Sequence, residues 1–458
     1  MSHRVASRVK VRTNADCLKL AFQRLLTGFD SSQVGFRTDC TWTARLLVTT
    51  ALLWAWADES TVVERFENSR RVAMHLSGGA PAGSYQAFMK LLGRWSVVLL
   101  RLLKEVLRER MRVDLDDCLR IAGFFVFGVD GSKIDLPRTR SNQAAYAHSR
   151  KPRKRRRGRR RSDLRKRDAA QLLLTTAWHV GAGLPWDWRR GPVDASERDQ
   201  LLEMAAELPA GALIAADAGF TGYEFLSTVL AGGRRVLIRV GSNVRLLKQL
   251  GYAREHRGTV YLWPDHKARR ETPPLTLRLI ESRSGREPVF LLTDLAPQEL
   301  NDRGAADVYA RRWGVEVFYR SFKRTFGRHK LRSASPANAL VELDWSLVGL
   351  WALSLYALMQ ARLDRRPPGR MSCARTLRCV RRTVRDYTQP RPRGKKLARR
   401  LRTALIDDYV RRDKQSRDYP KKKRVEPPGS PRIQTATPAQ RRLALTLRRE
   451  QIEKGLTA

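Results

Sequence analysis

Four residues that can act on phosphate lie at regular spacing in one stretch of the chain: Tyr309, Arg312, Glu316 and Lys323. At about 100° per residue, these positions fall within roughly 60° of one another on a helix. They therefore predict one polar stripe along a helix face. A carboxylate flanked by Arg and Lys suits a metal ion that works on a nucleic-acid backbone, because the acid can hold the cation while the bases hold phosphates. The stripe is also typical of an amphipathic helix with a solvated charged face.

The net charge of the chain indicates a polyanionic partner. Its 458 residues include 90 Lys and Arg against 45 Asp and Glu, which gives a formal charge of +45. DNA or RNA is the simplest partner for such a chain, and an anionic membrane surface is the alternative. The five cysteines are scattered, with no Cys-x2-Cys pair and no His cluster. We therefore expect neither a zinc site nor a disulfide framework, and a reducing cytosol is the natural compartment.

No membrane segment is expected. The first residues, 1–5, have no apolar signal region. The most apolar stretch, residues 345–359, is shorter than a comfortable membrane span and follows Glu342 and Asp344. These features predict a buried core helix there.

The first 120 residues predict a helical domain, since apolar residues recur at helical spacing. Ser84 can cap a helix that carries Lys90 and Arg94. Such a helix after a tight turn is compatible with a helix-turn-helix DNA reader, and an ordinary helical bundle is the simpler alternative.

From residue 121 the pattern predicts a mixed sheet with flanking helices. The fold class is therefore α/β. The chain divides into a helical N-terminal domain (1–120), a first core part (121–242), a β-rich insertion (243–298), a second core part with the Glu316 helix (299–365) and a basic, partly disordered C-terminal region (366–458).

Two predicted strands of the core end in an acid. Asp130 closes the apolar run 124–129, and Asp217 closes the run 212–216. A carboxylate at the carboxyl end of a buried strand points at the crevice where sites form in open α/β sheets. Four other acids are rivals for this role: Asp135, Asp187, Asp194 and Asp294.

Asp130, Asp217 and Glu316 together can hold two divalent cations about 4 Å apart, the arrangement that clamps the attacking and leaving oxygens in phosphodiester displacement. Mg²⁺ suits this task because it prefers oxygen ligands and keeps open water positions, and Mn²⁺ is a possible substitute. Without metal the carboxylates would raise one another's pKa values.

These motifs resemble the DDE transposases of bacterial insertion sequences. The matching strings are Asp130-Gly-Ser, Asp217-Ala-Gly-Phe and Tyr309-x2-Arg312-x3-Glu316-x6-Lys323. The last one is similar to the signature of the insertion-sequence-four family at all four positions. The resemblance covers about residues 121–363 and implies a ribonuclease-H-like core that a β-rich insertion interrupts before the Glu helix.

The resemblance also implies a mechanism and partners. Asp130, Asp217 and Glu316 would ligate two metal ions, and Tyr309 and the bases Arg312 and Lys323 would bind DNA phosphates near the cut. The substrates would be transposon ends and target DNA, cleaved to a 3′-OH that then attacks the target. A homodimer in the synaptic complex and a location in the cytoplasm on the nucleoid are expected.

Two further features carry separate expectations. Residues 150–167 are far more basic than the corresponding loop of that family, and either clamp DNA or form a solvated segment. Trp263 lies in the predicted insertion, where a Trp of the family can stack on a flipped base, although a packed strand residue is the simpler role.

The alternatives to a transposase remain open on the sequence. One is a related metal-dependent nuclease, or an inactive transposase-derived protein that still binds DNA. Another is a basic nucleic-acid packaging protein without catalysis. The packaging alternative leaves two strand-end acids and the stripe around Glu316 unexplained.

Overall fold

A large mixed sheet with helices around it forms the centre of the molecule, so the fold is mixed α/β as the sequence predicts. The computed structural model describes residues 12–36, 40–79, 83–147, 169–283, 288–390, 396–406 and 429–455. The strands in these ranges are β1 (Arg120–Ile121), β2 (Phe124–Asp135), β3 (Gln171–His179), β4 (Leu184–Pro192), β5 (Leu213–Ala216), β6 (Arg235–Val240), β7 (Arg245–Lys248), β8 (Thr259–Leu262), β9 (Leu275–Ser282), β10 (Val289–Thr293) and β11 (Arg432–Thr435).

The strand order places a parallel group at the centre of the sheet. Along the sheet the order is β11-β7-β8-β9-β10-β6-β5-β2-β3-β4, and β1 pairs with β2. Neighbours in the group β2, β3 and β4 are antiparallel, whereas β5 runs parallel to both β2 and β6. Because β2 and β5 run parallel with Gly128 opposite Ala215, a residue inside β2 and a residue just after β5 lie at the same level of the sheet.

The predicted insertion extends this sheet. Strand β10 pairs antiparallel with β6, and β9, β8 and β7 follow it in turn. The edge strand β11 comes from the C-terminal region and lies parallel to β7. That pairing joins residues almost two hundred positions apart, which local sequence patterns do not predict.

Helices form the N-terminal part, where the periodicity predicts them. Their bounds are Asn14–Leu25, Ala44–Trp56, Val62–Ser77, Tyr85–Asp114 and Asp116–Leu119, and a further helix, Arg140–Tyr146, follows β2. Several of these helices begin with a side-chain cap, and Thr61 forms a capping box with Glu64. Ser84 caps the helix that carries Lys90 and Arg94, as predicted, and this helix packs along the core helix described next.

The apolar stretch 345–359 lies inside one long helix, Pro336–Arg362, which begins at a Ser335 cap. This helix is long and apolar enough to cross a membrane, but 94% of its most apolar window is buried inside the protein. It packs against the helices Ala44–Trp56 and Tyr85–Asp114. The prediction of a buried core helix is therefore confirmed.

The remaining helices flank the sheet or follow it. They are Glu197–Ala205, Tyr223–Ala231, Asp265–Arg269, Asp302–Arg311, Gly314–Arg320, Cys373–Arg385, Leu397–Arg402 and Pro438–Glu453, with short 3-10 turns at Ala218–Phe220 and Pro368–Arg370 and a π-helical turn at Ser321–Thr325. The C-terminal region thus contributes ordered elements, three helices and an edge strand, within its described residues.

Candidate active site

The segment that carries Glu316 consists of three consecutive helical pieces. Tyr309 lies in Asp302–Arg311, Glu316 lies in Gly314–Arg320, and Lys323 lies in the π-helical turn. The prediction of one regular helix through all four motif residues is therefore wrong. Arg312 and its successor keep right-handed helical dihedral angles, so the chain direction persists across the first break. The wider π turn rotates Lys323 away from its regular α-helical position.

Close packing fixes this segment against the sheet. A Cβ atom at Gly314 would overlap the Trp178 ring on β3, and one at Gly128 on β2 would come within 3.3 Å of Arg312 Cγ. Glycine at both positions therefore lets the segment approach the strands. The Tyr319 hydroxyl lies 2.8 Å from the Asp130 carbonyl oxygen. Glu316 thus stands on a helix that is held directly over the strand of Asp130.

Asp130 lies in the middle of its strand. The prediction that the strand ends there is wrong, because β2 continues to Asp135 and Asp130 pairs with Thr176 on β3. Its Oδ1 accepts a hydrogen bond from the backbone N–H of Gly131 at 2.9 Å. Burial raises the pKa of Asp130 from 3.8 to about 6, against a lowering effect of Arg312.

Asp217 directly follows β5, as predicted. Its Oδ1 accepts a hydrogen bond from the backbone N–H of Gly219 at 2.8 Å, which holds the carboxylate at the start of a 3-10 turn. The parallel register pairs Gly128 with Ala215, so Asp130 and Asp217 each lie two residues beyond a paired position. Asp217 also contributes to the raised pKa of Asp130. The structure therefore brings these two predicted acids to one place.

The Glu316 carboxylate contacts Arg312, which lies just before its helix. Its Oε1 lies 3.5 Å from Nη2 of Arg312, which is 8% exposed. The Arg312 guanidinium lies 5.3 Å from the centre of the Tyr309 ring. The Tyr309 hydroxyl and the Arg312 Nε are buried without a hydrogen-bond partner among the described residues. Three of the four motif residues therefore lie together around the Arg312 guanidinium.

Lys323 lies close to the strand of Asp130. Burial lowers the pKa of Lys323, while Asp135 and Asp130 act in the opposite direction. The Lys323 amine is therefore within electrostatic range of both carboxylates on β2, despite the π turn.

The donor set fits a hard divalent cation, although the acids are not gathered around one point. All three predicted ligands are carboxylates, which Mg²⁺ prefers. Among the described residues, no three His, Cys, Asp or Glu side chains are grouped closely enough to hold one metal ion together. Asp130 and Asp217 are neighbours, whereas Glu316 is engaged with Arg312. A metal ion would therefore need Glu316 to turn away from Arg312.

A fourth acid, Glu197, faces the same place and was missed by sequence reasoning. A Cβ atom at Gly131 would overlap the Glu197 carboxylate. Burial raises the pKa of Glu197, and Asp217 adds to this effect. Arg198 Nε donates to the Gly219 carbonyl oxygen at 2.7 Å and ties the start of this helix to the Asp217 turn. No sequence signal distinguishes Glu197 from an ordinary acid in the first turn of a helix.

Other residues of the protein interact with all four rival acids, including Asp194. Asp135 accepts a hydrogen bond from Gln171 at 2.6 Å, Asp187 is paired with Lys104 at 2.5 Å, and Asp294 is paired with Arg235 at 2.6 Å. These carboxylates therefore stabilise the fold. Asp130 differs from them in the groups that surround its carboxylate.

Two other expectations have different outcomes. Trp263 is 3% exposed and its Nε1 donates to the Thr272 carbonyl oxygen at 2.6 Å, so the base-stacking role is wrong and the packed role is confirmed. The basic run 150–167 lies outside the described residues.

Residues 126–351 match the family model described as "Transposase DDE domain". This match supports a DDE transposase. Asp130, Asp217 and Glu316 all fall inside the matched range. Enzymes with this domain are nucleases that generally use divalent metal ions.

The chain has also been compared with curated proteins and with solved structures. No curated protein matches the chain. Among solved structures the chain is similar to a cryo-EM structure of the piggyBac transposase synaptic complex with hairpin DNA. The likeness has 11% sequence identity, covers 91% of each chain and has a TM-score of 0.36.

Proposed function

We propose that this protein is a bacterial transposase of the insertion-sequence-four family. It binds the terminal inverted repeats of its insertion sequence, cleaves the ends by two-metal hydrolysis and joins the 3′-OH to target DNA. The observation that carries the proposal is the transposase DDE domain match over residues 126–351, which contains all three predicted acids. The spacing of Tyr309, Arg312, Glu316 and Lys323 supports the family assignment.

The strand arrangement supports a ribonuclease-H-like core. Three antiparallel strands, β2, β3 and β4, are followed along the chain by β5 and β6, which run parallel to β2. The strands of residues 243–298 come between β6 and the Glu316 helix, as the family's insertion would.

Asp130, Asp217 and Glu316 are the proposed ligands of two Mg²⁺ or Mn²⁺ ions. Bound there, the metal would supply Lewis-acid activation of water and stabilise charge on the phosphate oxygens. The buried donors of Tyr309 and Arg312 have no described partner, and these atoms would bind the DNA phosphate. A phosphate that attracts Arg312 would also release Glu316 from its 3.5 Å contact, which links DNA binding to the availability of the third acid.

The proposed partners are double-stranded DNA of the transposon ends and of the target, and a second copy of the chain in a synaptic homodimer. The formal charge of +45 supports the DNA partners. The proposed location is the cytoplasm, on the nucleoid, without membrane association.

Strand transfer tests this function. The protein is incubated in Mg²⁺ with a DNA fragment that carries the terminal inverted repeats bounding its gene. We expect nicks that leave a 3′-OH, followed by products joined to target DNA. Nicks without joining would favour the metal-dependent nuclease, and binding without nicks would favour the inactive DNA-binding protein.

The variant Glu316→Gln tests the site within this function. It should abolish cleavage and leave DNA binding intact, because the amide keeps the side-chain shape but is a poor metal ligand. The matched control is Glu281→Gln, which changes an exposed acid on β9 and should cleave normally. Cleavage retained in Glu316→Gln would contradict the assignment of the third ligand.

A further inference from the structure

The helix Cys373–Arg385 has two distinct faces. One face is buried against the protein and consists of Thr376, Leu377, Val380 and Thr383. The other carries arginines at 375, 378, 382 and 385, which lie within roughly 80° of one another at 100° per residue. We call these four residues the arginine stripe. Arg378, Arg382 and Arg385 are exposed.

The arginine stripe is joined to the end of the catalytic segment. The helix Cys373–Arg385 packs against the π-helical turn Ser321–Thr325, which carries Lys323. Thr325, the last residue of that turn, lines an open cavity of about 530 Å³ together with Arg378 and Arg382. The positive charge of Lys323 and its exposed neighbour Arg324 therefore continues onto the helix.

The protein itself neutralises little of this charge. Arg378 and Arg385 have no acidic partner among the described residues, and Arg382 has a loose one, Asp386, at 3.9 Å. Arg381 of the same helix behaves differently. Its Nε donates to the Trp56 carbonyl oxygen at 2.7 Å, which anchors the helix to the N-terminal bundle. Arg381 thus stabilises the fold, while Arg378, Arg382 and Arg385 face solvent.

We propose that the arginine stripe binds the sugar-phosphate backbone of DNA that extends from the candidate active site. The proposal rests on the proposed function and names a surface outside the motif of Tyr309, Arg312, Glu316 and Lys323. Ten residues of helix from Arg375 to Arg385 span about 15 Å, which matches about four phosphates of one strand at 3.4 Å each. Arginine suits this contact because its planar fork binds phosphate oxygens in pairs.

The test compares two triple variants of the full chain. The first, Arg378→Gln with Arg382→Gln and Arg385→Gln, removes three charges from the stripe. The matched control, Arg441→Gln with Arg442→Gln and Arg449→Gln, removes three exposed charges from the helix Pro438–Glu453. That helix follows β11, which is seven strands from β2 and so about 34 Å away at the usual strand spacing.

Binding of a fluorescent DNA duplex of mixed sequence is measured by anisotropy over a salt titration in EDTA. Each lost phosphate contact should flatten the slope of log affinity against log salt by about 0.9, so the stripe variant should lose about 2 to 3 in slope. The control variant should keep the slope of the unchanged protein. Circular dichroism checks that both variants are folded.

Either of two results would overturn the proposal: an unchanged slope in the stripe variant, or an equal loss in the control. The readout needs neither cleavage nor end recognition, so it does not depend on strand transfer. If the unaltered protein showed no strand transfer, that result would count against the proposed function and not against DNA binding by the arginine stripe.

Discussion

Two aspartates of the sheet, the buried Asp187 and the half-buried Asp130, have opposite electrostatic surroundings. Asp187 on β4 lies 2.5 Å from Lys104 and 2.8 Å from Arg189. Asp130 on β2 makes no ion pair with a described residue, and Asp217 and Glu197 stand beside it.

The pKa values follow this difference in surroundings. Burial acts to raise the pKa of both carboxyls, but the cations near Asp187 reverse the effect and lower its pKa. At Asp130 burial prevails, and the pKa rises to about 6. The protein thus neutralises one carboxylate internally and leaves the other to an external cation or proton. The comparison separates an acid that stabilises the fold from an acid that is available for chemistry.

The largest expected effect is on cleavage by Asp130→Asn. We expect a loss of about a thousandfold, because removal of a metal ligand sacrifices about 4 kcal/mol of transition-state stabilisation. Cleavage of end DNA in Mg²⁺ measures it, with Asp307→Asn, an exposed acid on the helix Asp302–Arg311, as the control. A variant that cleaves at the normal rate would remove Asp130 from the site.

The second prediction concerns Asp187, whose replacement should affect the stability of the fold. Asp187→Asn should lower the free energy of unfolding by about 3 to 5 kcal/mol, since it leaves Lys104 buried without its charge partner. Urea denaturation at neutral pH measures the loss. The exposed Asp199→Asn is the control and should change little. If Asp187→Asn were as stable as the control, the two acids would not differ in the way the contacts indicate.

A third prediction concerns pH in the absence of metal. The pKa of Asp130 is about 6 in the folded protein and 3.8 ordinarily, so the folded state takes up a proton first and stability rises as the pH falls between these values. After allowance for solvent screening at this partly exposed side chain, the gain is about 1 kcal/mol.

Urea denaturation of the unchanged protein and of Asp130→Asn in EDTA, compared across that pH interval, isolates the contribution. The difference in unfolding free energy should shift in favour of the unchanged protein as the pH falls. A difference that stays constant with pH would show that Asp130 titrates normally.

The smallest expected effect comes from Glu197→Gln. Glu197 contributes to the raised pKa of Asp130, so its loss should lower that pKa. Carbon-13 NMR titration of the Asp130 carboxyl measures the change, and Asp199→Asn on the same helix is the control. An unchanged Asp130 pKa would place Glu197 outside the group.

Sequence patterns predicted which strands carry the site better than they predicted where those strands end. The apolar run before Asp217 ends where β5 ends, because the chain then enters the 3-10 turn Ala218–Phe220. The run before Asp130 also ends there, yet β2 continues through Ile134, which pairs with Leu172 on β3. Hydrophobicity marks the buried part of a strand, whereas backbone pairing decides its length.

Local periodicity also failed to predict where the helix of the Glu316 segment changes to a π turn. The spacing of Arg312 and Glu316 predicted that they share a face, and they are 3.5 Å apart. The π turn that begins at Ser321 packs against the helix Cys373–Arg385. Those contacts are distant in sequence, so local periodicity does not contain them.

By itself, the sequence determined the chemical types available and their order along the chain: Asp130, Asp217 and the stripe around Glu316, within a strongly basic protein. Only the tertiary structure decided which acids are neutralised. Arg189 is near Asp187 already in the sequence, but Lys104 beside Asp187, and Asp217 and Glu197 beside Asp130, come from other elements. The electrostatic state of a carboxylate depends on charges a few ångströms away in space, and folding alone brings those charges near.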